Sequence, residues 1–359
     1  MLKELNFIKP GVISGSEARK IFNFAKKNNF AIPAINCINT DSINTVLKTA
    51  YKCNSPVIIQ LSYGGAKFFS GSSLYKIEKK NNAIIGAVAA AKYVHYISKY
   101  YKIPVILHTD HCDKKLLPWV KELIHIGTKF FKKNKFPLFS SHMIDLSKEP
   151  LKENITTCVK YLKKCSRINM LLEIELGCTG GEEDGIDNTN IKQEKLYTTP
   201  KDVKYAYKKL NKISKNFTIA AAFGNVHGVY KIGNIILKPE ILKKSQKYIQ
   251  KKYKLKNNPL NFVFHGGSGS SKKDIQNSIK YGVVKFNIDT DLQWSTWKGI
   301  LKFYKSNKLF LQSQLGNPSG KNEPNKKFYD PRIWIQSAQN TAHKNLKKYF
   351  KKLNSYNIL

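Results

Sequence analysis

The sequence contains no apolar run long enough to cross a membrane. Its longest apolar stretches, such as residues 83–91, are about half the roughly 20 residues that a membrane helix needs. The first residues, MLKELNFIKPGV, contain neither an extended apolar segment nor a small-residue cleavage site, so we expect no secretory signal. These absences predict a soluble, cytoplasmic protein with no membrane partner.

The sequence also lacks paired cysteines. Its six cysteines are scattered without C-x-x-C spacing, which argues against a disulfide framework and a cysteine zinc site, and we expect free thiols. Cys112 and Cys178 lie within polar motifs, so a nucleophilic role has to be weighed for each. We expect both to be small packing residues.

Arginine is nearly absent from a strongly basic chain. The net charge is +38, yet only three of the 62 basic residues are arginine, which leaves 59 lysines (62 − 3). Proteins that read nucleic acids favour arginine for bidentate and stacking contacts. The lysines instead recur in predicted helices, as in YKKLNKISK, and we expect them to form solvated helix faces. A nucleic-acid-binding protein remains an alternative because phosphate neutralisation would suit this charge.

Short apolar runs alternate with helical patterns along the whole chain. Each run reads as a parallel strand that is covered on both faces. The runs are residues 31–36, 56–62, 104–110, 137–144, 170–176, 217–223, 261–267 and 282–289. Eight strand-then-helix units predict a (β/α)8 TIM barrel with a C-terminal helical extension, formed by residues 1–359 as one domain. A doubly wound sheet is the alternative.

Three helix starts are visible between these runs. Residues 41–52 follow helical spacing, and Asp41 or Ser42 is the predicted N-cap. Thr199 and Pro200 open a second helix in a capping-box pattern, and Ser271 opens a third.

Polar residues cluster where the predicted strands end. Three of them are histidines that follow separate apolar runs: His111 in VILHTDH, His227 in FGNVHG and His265 in FVFHGG. In a barrel, the carboxyl ends of all strands share one face, where active sites are built. Three imidazoles leave an open fourth position on a tetrahedral zinc ion, so we predict a catalytic metal site.

Carboxylates accompany the histidines. Asp110 directly precedes His111, and an ionised carboxylate beside a metal can exchange protons with a substrate hydroxyl. Asp145 and Glu175 are predicted to support the metal ligands or to act as alternative ligands, with helix caps or salt bridges as the other interpretation. The glycine-rich loop after Glu175 could bring Glu182 or Glu183 over a bound substrate.

Two glycine-rich and polar segments suit phosphate groups. The stretch HGGSGS, residues 265–270, precedes a capped helix, whose free N–H groups and positive dipole end favour anions. Residues 287–290 follow the last predicted strand, a common phosphate position in barrels. The pattern G-x-x-x-x-G-K-[ST] does not occur, which excludes a nucleotide P-loop. Lys326 and Arg332 could clamp a second phosphate.

Taken together, the motifs resemble the class II, zinc-dependent fructose-1,6-bisphosphate aldolases of the longer bacterial subgroup. The resemblance runs from about residue 7 to the end of the sequence. It is carried, in order, by HTDH, SSHMIDLS, LEIELGCTGGEEDG, FGNVHGVYKIGN, FHGGSGS, VVKFNIDTD and PNKKFYDPR. It implies a (β/α)8 barrel, a homodimer, and reversible cleavage of fructose 1,6-bisphosphate into dihydroxyacetone phosphate and glyceraldehyde 3-phosphate.

The resemblance also implies a role for each matched residue. His111, His227 and His265 would bind Zn²⁺, and Asp145 and Glu175 would lie at a second divalent position. Asp110 would exchange the hydroxyl proton, and Glu183 would move the proton on the dihydroxyacetone phosphate carbon. The phosphate of that substrate, with a monovalent cation (K⁺ or Na⁺) nearby, would be bound by Gly228, Gly266, Gly267, Ser268, Asn287, Ile288, Asp289 and Thr290. Ser62, Lys326 and Arg332 would bind the other phosphate, with Arg332 reaching across the dimer, and Asn36 would line the pocket.

Three positions depart from the family pattern: Tyr63, Ile232 and Leu292. None of them removes a ligand. A Schiff-base lysine mechanism stays open in principle because lysines abound, and tagatose 1,6-bisphosphate is an alternative substrate.

Overall fold

A computed structural model describes residues 8–77, 81–183, 186–188, 196–227 and 236–359. The side chains of Glu182, Glu183 and His227 are outside this description, although their backbone is within it. Gly228 and Ile232 lie outside the described residues altogether.

The strands form one large parallel sheet and two small sheets. In chain order they are β1 (Gly11–Val12), β2 (Ile32–Asn36), β3 (Val57–Leu61), β4 (Pro104–Thr109), β5 (Ser141–Ile144), β6 (Leu171–Leu176), β7 (Gly180–Glu183), β8 (Ile186–Asn188), β9 (Phe217–Ala221), β10 (Val226–His227), β11 (Phe262–Phe264), β12 (Val283–Ile288), β13 (Leu315–Asn317) and β14 (Gly320–Pro324).

Eight of these strands close into a barrel. The order is β2, β3, β4, β5, β6, β9, β11 and β12, and β12 pairs with β2 to complete the ring. Every pairing around the ring is parallel, so all carboxyl ends emerge at the same face. The predicted (β/α)8 barrel is therefore confirmed, and the doubly wound alternative is wrong.

Helices cover the outside of the barrel. They are α1 (Gly15–Lys27), α2 (Thr40–Lys52), α3 (Tyr63–Phe69), α4 (Ser72–Ile77), α5 (Asn82–Ile97), α6 (Leu117–Asn134), α7 (Leu151–Ser166), α8 (Pro200–Leu210), α9 (Glu240–Tyr253), α10 (Lys272–Lys280), α11 (Thr290–Asn307), α12 (Lys326–Tyr329) and α13 (Pro331–Lys352). Their apolar faces pack on the outer side of the strands, where Val46, Leu123 and Leu162 are fully buried. None of the described helices is long and apolar enough to span a bilayer.

Two predicted helix starts are confirmed and one is wrong. Thr199 caps α8 in a capping box with Asp202, and Ser271 caps α10. The cap of α2 is Asn39 rather than Asp41 or Ser42. Ser42 is the reciprocal partner in that capping box, because its hydroxyl accepts the Asn39 N–H while the Asn39 side chain accepts the Ser42 N–H.

The C-terminal extension contains more structure than the sequence predicts. The polar segment folds into the antiparallel pair of β13 and β14, in which Leu315 lies opposite Pro324. The long helix α13 then packs along α11 and α2. This arrangement confirms the closing helix and adds a hairpin.

Candidate active site

The carboxyl ends of the barrel strands gather most of the predicted site residues. Asn36 ends β2, Glu175 and Asn287 lie near the ends of β6 and β12, and Asp110 and His265 directly follow β4 and β11. Each of these five side chains is at least nine-tenths buried. The polar groups therefore face one another at a single end of the barrel.

His111 and His265 meet at this end. Nε2 of His111 lies 2.9 Å from Nδ1 of His265, and the two rings are perpendicular with centroids 4.7 Å apart. Together with Asp110 they form a group whose ligand atoms all lie within 4.8 Å of one another, the proximity that a shared metal ion requires.

A buried ion pair between Glu173 and Lys285 contacts the ring of His265. Nε2 of His265 lies 2.9 Å from Oε1 of Glu173, and Nζ of Lys285 donates to both oxygens of Glu173 at 2.9 Å. A carboxylate that accepts from lysine is ionised and acts only as an acceptor, so the hydrogen of His265 sits on Nε2. Nδ1 of His265 is then the atom with a lone pair that faces His111.

His108 completes this buried network. Lys285 lies 3.2 Å from Nε2 of His108, and Nδ1 of His108 lies 2.7 Å from the hydroxyl of Ser141. Burial, followed by the charge of Lys285, holds the pKa of His108 well below its usual value, so the ring is neutral. Glu173, Lys285 and His108 were not predicted from the sequence.

Asp110 is fixed by two amides. Gln60 donates to one of its oxygens at 2.9 Å, and Asn287 donates to the other at 3.4 Å. Burial opposes ionisation of this carboxyl group, but the nearby charges of His111 and Lys285 outweigh burial and lower its pKa. Asp110 is therefore an anion, the form that accepts a proton. Gln60, which also donates to Asn36, is a further residue that the sequence analysis missed.

Asp145 and Glu175 approach the other side of His111. Nδ1 of His111 lies 3.5 Å from Asp145 and 3.8 Å from Glu175, and the three residues form a second group that could hold a metal ion. Burial alone would lower the pKa of His111, but Asp110, Asp145 and Glu175 raise it well above its usual value.

The pKa values of the two carboxylates beside His111 shift in opposite directions. Burial opposes ionisation of Asp145, but hydrogen bonds from His111 and Ser147 lower its pKa to about 2. Burial and the charge of Asp145 raise the pKa of Glu175 well above its usual value. Two ionised carboxylates this close repel each other, and a bound cation would relieve that repulsion.

The third histidine is described only through its backbone. β10 contains His227 and pairs in parallel with β7, with His227 opposite Gly181. A buried chain of hydrogen bonds links this region to Glu175, because Asn225 donates to Thr179 at 3.0 Å and Thr179 donates to Glu175 at 2.9 Å. The predicted contributions of the side chains of His227 and Glu183, and of Gly228, lie outside the described residues.

The two predicted phosphate segments lie next to each other, because β11 pairs with β12. Gly266 has a φ of +58°, which favours glycine. A Cβ atom on Gly267 would lie 2.1 Å from the ring of Phe286, so only glycine fits there. Ser268 is half-buried on the same turn, and Asn287, Ile288, Asp289 and Thr290 run from the end of β12 into α11.

The residues predicted to bind the second phosphate are less closely grouped. The hydroxyl of Ser62, which is buried at the end of β3, caps α3 by accepting the N–H of Gly65 at 3.0 Å. Lys326 and Arg332 are exposed, and the Arg332 guanidinium makes hydrogen bonds of 2.6–3.2 Å with Asp330. Among the described residues, neither Lys326 nor Arg332 forms a hydrogen bond or ion pair with a residue at the barrel mouth.

The cysteines and Tyr63 have packing roles. All six cysteines are buried and none forms a disulfide, as predicted, and burial raises the pKa of Cys112 well above its usual value. A thiol held in this form is a poor nucleophile. The ring of Tyr63 packs edge-on against Trp119 at 5.4 Å, so this departure from the family pattern is used in a helix contact.

The chain matches proteins of known family over nearly its whole length. Residues 16–358 fit the family model for "Fructose-bisphosphate aldolase class-II". Two curated relatives named fructose-bisphosphate aldolase class 2 are covered completely and cover the whole chain: one from Buchnera aphidicola subsp. Schizaphis graminum at 62% identity and one from Escherichia coli K12 at 56%. This chain belongs to the class II fructose-bisphosphate aldolases.

A solved structure agrees with this assignment. The fructose-bisphosphate aldolase of Campylobacter jejuni is 53% identical, superposes with a TM-score of 0.90, and covers 98% of each chain. The chain is thus an aldolase that cleaves fructose 1,6-bisphosphate, and the resemblance seen in the sequence is confirmed. Neither tagatose 1,6-bisphosphate nor a nucleic acid is favoured as its ligand.

Proposed function

We propose that this aldolase is zinc-dependent and that His111, His227 and His265 hold the ion. The observation that carries the proposal is the approach of His111 Nε2 and His265 Nδ1 to 2.9 Å at the mouth of the barrel. The backbone of His227, in β10, enters the same loop region as Thr179, which hydrogen-bonds Glu175.

The donor set fits a zinc ion. Zn–N bonds of about 2.0–2.1 Å in tetrahedral geometry separate two ligand nitrogens by roughly 3.3 Å. This separation is close to the 2.9 Å between Nε2 of His111 and Nδ1 of His265. Glu173 accepts the hydrogen on the far nitrogen of His265, which is the support that zinc-bound histidines usually have. Three imidazoles leave one coordination position open for substrate.

In this proposal Asp110 and Glu183 each carry out one proton transfer. Zinc, when bound, would act as a Lewis acid on the substrate carbonyl. Asp110 takes the proton of the hydroxyl group whose carbon becomes the aldehyde, since its lowered pKa keeps it ionised. Glu183, the last residue of β7, moves the proton on the dihydroxyacetone phosphate carbon. No lysine Schiff base is required.

Asp145 and Glu175 form a second divalent position. Oε2 of Glu175 is buried and has no hydrogen-bond partner within the described part of the chain, and it lies 3.8 Å from His111. A buried carboxylate oxygen without a donor is a suitable ligand for a cation. We infer that a divalent ion can occupy this position and that it would lower the raised pKa of Glu175.

Two groups of residues would bind the two substrate phosphates. Gly228, Gly266, Gly267 and Ser268, with residues 287–290, would bind the phosphate of dihydroxyacetone phosphate, and a monovalent cation (K⁺ or Na⁺) would bind nearby. Oδ1 of Asn287 supports this placement, because it is a buried acceptor with no partner among the described residues. Ser62, Lys326 and Arg332 bind the other phosphate, and Asn36 lines the pocket between them.

We further propose that the enzyme is a homodimer. α11 exposes Trp294 and Trp297, each about half accessible, and Ile333 on α13 is also exposed. Large apolar side chains that are exposed on neighbouring helices are typical of an interface. Arg332 adjoins Ile333, with 88% of its side chain exposed, and we propose that its guanidinium reaches across the dimer to the phosphate site of the partner.

The proposed setting is the cytoplasm, where the reaction serves glycolysis and gluconeogenesis, with residues 1–359 acting as one domain. Fructose 1,6-bisphosphate is the preferred substrate, and comparing kcat/KM for the fructose and tagatose bisphosphates tests this choice.

Metal analysis combined with a cleavage assay tests the proposal. We expect treatment with EDTA to remove zinc and abolish cleavage, and zinc addition to restore both. Borohydride added with substrate should trap no covalent adduct, because no lysine imine forms. Full activity of the metal-free protein would refute the zinc proposal, and a borohydride-trapped lysine would refute the mechanism.

A further inference from the structure

A second cavity lies at the end of the barrel opposite the active site. It has a volume of about 810 Å³ and is lined by the end of α1, the start of β9 at Phe217, and the segment 255–261 that leads into β11. These are the amino ends of the strands, whereas the metal ligands and substrate groups sit at the carboxyl ends. The proposed aldolase chemistry makes no use of this cavity.

All described charged side chains that line the cavity are basic. Its described lining includes Arg19, Lys26, Lys27, Lys215 and Lys256, and no aspartate or glutamate. Six asparagines complete most of the polar lining. Amide N–H groups and cations together are donors that suit a phosphate or another oxyanion.

Lys26 distinguishes this cavity from the lysine-rich surface elsewhere. Most lysines of the chain extend from helices into water, but Lys26 is half-buried at the last turn of α1. Its ammonium group donates to the carbonyl oxygen of Leu260 at 3.2 Å and forms no ion pair with any described carboxylate. Burial lowers the pKa of Lys26 to about 8.

A half-buried cation without a counter-charge loses part of its hydration in the folded protein, and an anion that approaches it offsets that cost. The guanidinium of Arg19 is already held in place, because its Nε donates to the side chain of Asn216 at 2.9 Å. A fixed arginine and a half-buried lysine held by a backbone carbonyl face one cavity, so little side-chain freedom is lost on binding.

We propose that this cavity is a binding site for a compact, multiply charged oxyanion, namely the phosphate group of a small molecule. Lys26 and Arg19 are its central donors, and Lys215 and Lys256 are donors at its rim. Binding supplies the counter-charge that Lys26 lacks.

The first experiment observes Lys26 directly while inorganic phosphate is added to the zinc-loaded enzyme at constant ionic strength. Lysines are labelled by reductive ¹³C-methylation, which keeps their charge, and the Lys26 signal is the one absent from the Lys26→Arg variant. We expect a saturable shift and a rise of the Lys26 pKa from about 8. The same response should persist in Ser268→Ala, which alters only the proposed phosphate site at the other end.

The second experiment tests whether phosphate binds specifically in this cavity or is attracted only by the positive charge of the whole protein surface. Lys215→Gln removes one exposed rim charge of the cavity, and we expect it to weaken the phosphate affinity reported by the Lys26 signal about tenfold, or about 1.4 kcal/mol. Lys247→Gln, on the exposed face of α9, removes the same charge elsewhere and should leave that affinity unchanged. Lys215 and Lys247 are both exposed, so neither variant threatens folding.

Three results would overturn the proposal. The Lys26 signal could fail to respond to phosphate, it could move without saturation, or its response could weaken equally in Lys215→Gln and Lys247→Gln. Loss of the response in Ser268→Ala would assign the binding to the active site instead.

Discussion

The ammonium group of Lys285 lies 2.9 Å from both carboxylate oxygens of Glu173, and neither side chain exposes more than 2% of its surface. Among the described residues, Lys285 is the one buried lysine of this lysine-rich chain. Glu173 in turn lies 2.9 Å from His265. The pair therefore links the interior of the barrel to a proposed zinc ligand and fixes the direction in which that ligand points.

Lys285→Met should weaken zinc binding and stability together. The substitution leaves the Glu173 carboxylate buried without its cation, which typically costs about 3–5 kcal/mol. Loss of a group that orients a metal ligand typically lowers metal affinity 10- to 100-fold, on the order of the effect expected here. Zinc affinity is measured by competition with a chelator, and the free energy of unfolding by denaturant titration.

Two further variants identify the cause of that loss. Lys280→Met, on an exposed position of α10, should leave zinc affinity unchanged. Adding Glu173→Gln to Lys285→Met removes the uncompensated charge and should restore part of the stability but not the zinc affinity. Unaltered zinc affinity in Lys285→Met would mean that the pair has a purely structural role.

Removing a proposed ligand should have a larger effect than removing an exposed histidine. His265→Ala takes away the ring that faces His111, and we expect the protein to lose stoichiometric zinc and at least about 10³-fold in kcat/KM, or roughly 4 kcal/mol of transition-state stabilisation. His125 is exposed on α6, and His125→Ala should retain zinc and activity. Zinc content by elemental analysis and the cleavage rate decide between the two outcomes. A His265→Ala enzyme that keeps both would contradict the assignment.

The stability of the protein should fall in mild acid because of His142. Burial lowers the pKa of His142 from 6.5 to about 3, and Thr109 lies 2.7 Å from its Nδ1. The unfolded chain therefore takes up a proton first as the pH falls below 6.5, so stability is full above pH 6.5 and is lost progressively toward pH 3. Between pH 7 and pH 5 this group should contribute a loss of about 2 kcal/mol.

His142→Asn tests this dependence, since the asparagine amide can still pair with Thr109. Other buried histidines such as His108 titrate in the same direction, so the difference between the wild type and the variant isolates His142. We expect a smaller decrease in the free energy of unfolding in the variant. Parallel pH profiles for the two proteins would show that His142 makes no such contribution.

Gly267→Ala should damage both stability and substrate binding. The added methyl group would meet the Phe286 ring at 2.1 Å, and overpacking of this kind costs about 1–3 kcal/mol. Movement of the turn should raise the KM for fructose 1,6-bisphosphate more than it lowers kcat. Combining Gly267→Ala with Phe286→Leu should recover part of both losses.

Gly127→Ala is the matched control for this substitution. A methyl group on Gly127 would lie 3.7 Å from Ile168, an ordinary contact, and alanine favours the interior of α6 by about 0.5–1 kcal/mol. This variant should be as stable as the wild type or more so. Equal destabilisation by the two substitutions would show that the contact with Phe286 does not matter.

The sequence predicts the site residues at the carboxyl ends of the strands but misses the polar residues deeper in the barrel. Ser62, Asp110, Glu175 and Asn287 stand at strand ends, where a polar residue after an apolar run is conspicuous. The missed residues Gln60, His108, Glu173 and Lys285 each lie two positions earlier on the same strand. Side chains at i and i+2 face the same side of a strand, so each missed residue points into the barrel directly below a predicted one.

The period of two along a strand could have identified these four deeper residues. It could not have shown which of them contact one another. Glu173 and Lys285 are separated by 112 positions, and their contact depends on the shear of the closed barrel. The hairpin of β13 and β14 was missed for a different reason. Its strands are short, exposed and rich in asparagine and glycine, so no apolar alternation identifies them.

The positive charge on the protein surface affects the rate at which the anionic substrate reaches the active site. The surplus of positive charge, +38 in total, belongs to the exterior, while Asp110, Asp145, Glu173 and Glu175 are sequestered within the barrel. A sugar bisphosphate thus diffuses toward an attractive field that extends about one Debye length, roughly 8–10 Å at physiological ionic strength. Encounter, rather than bond cleavage, should be the step that added salt slows most.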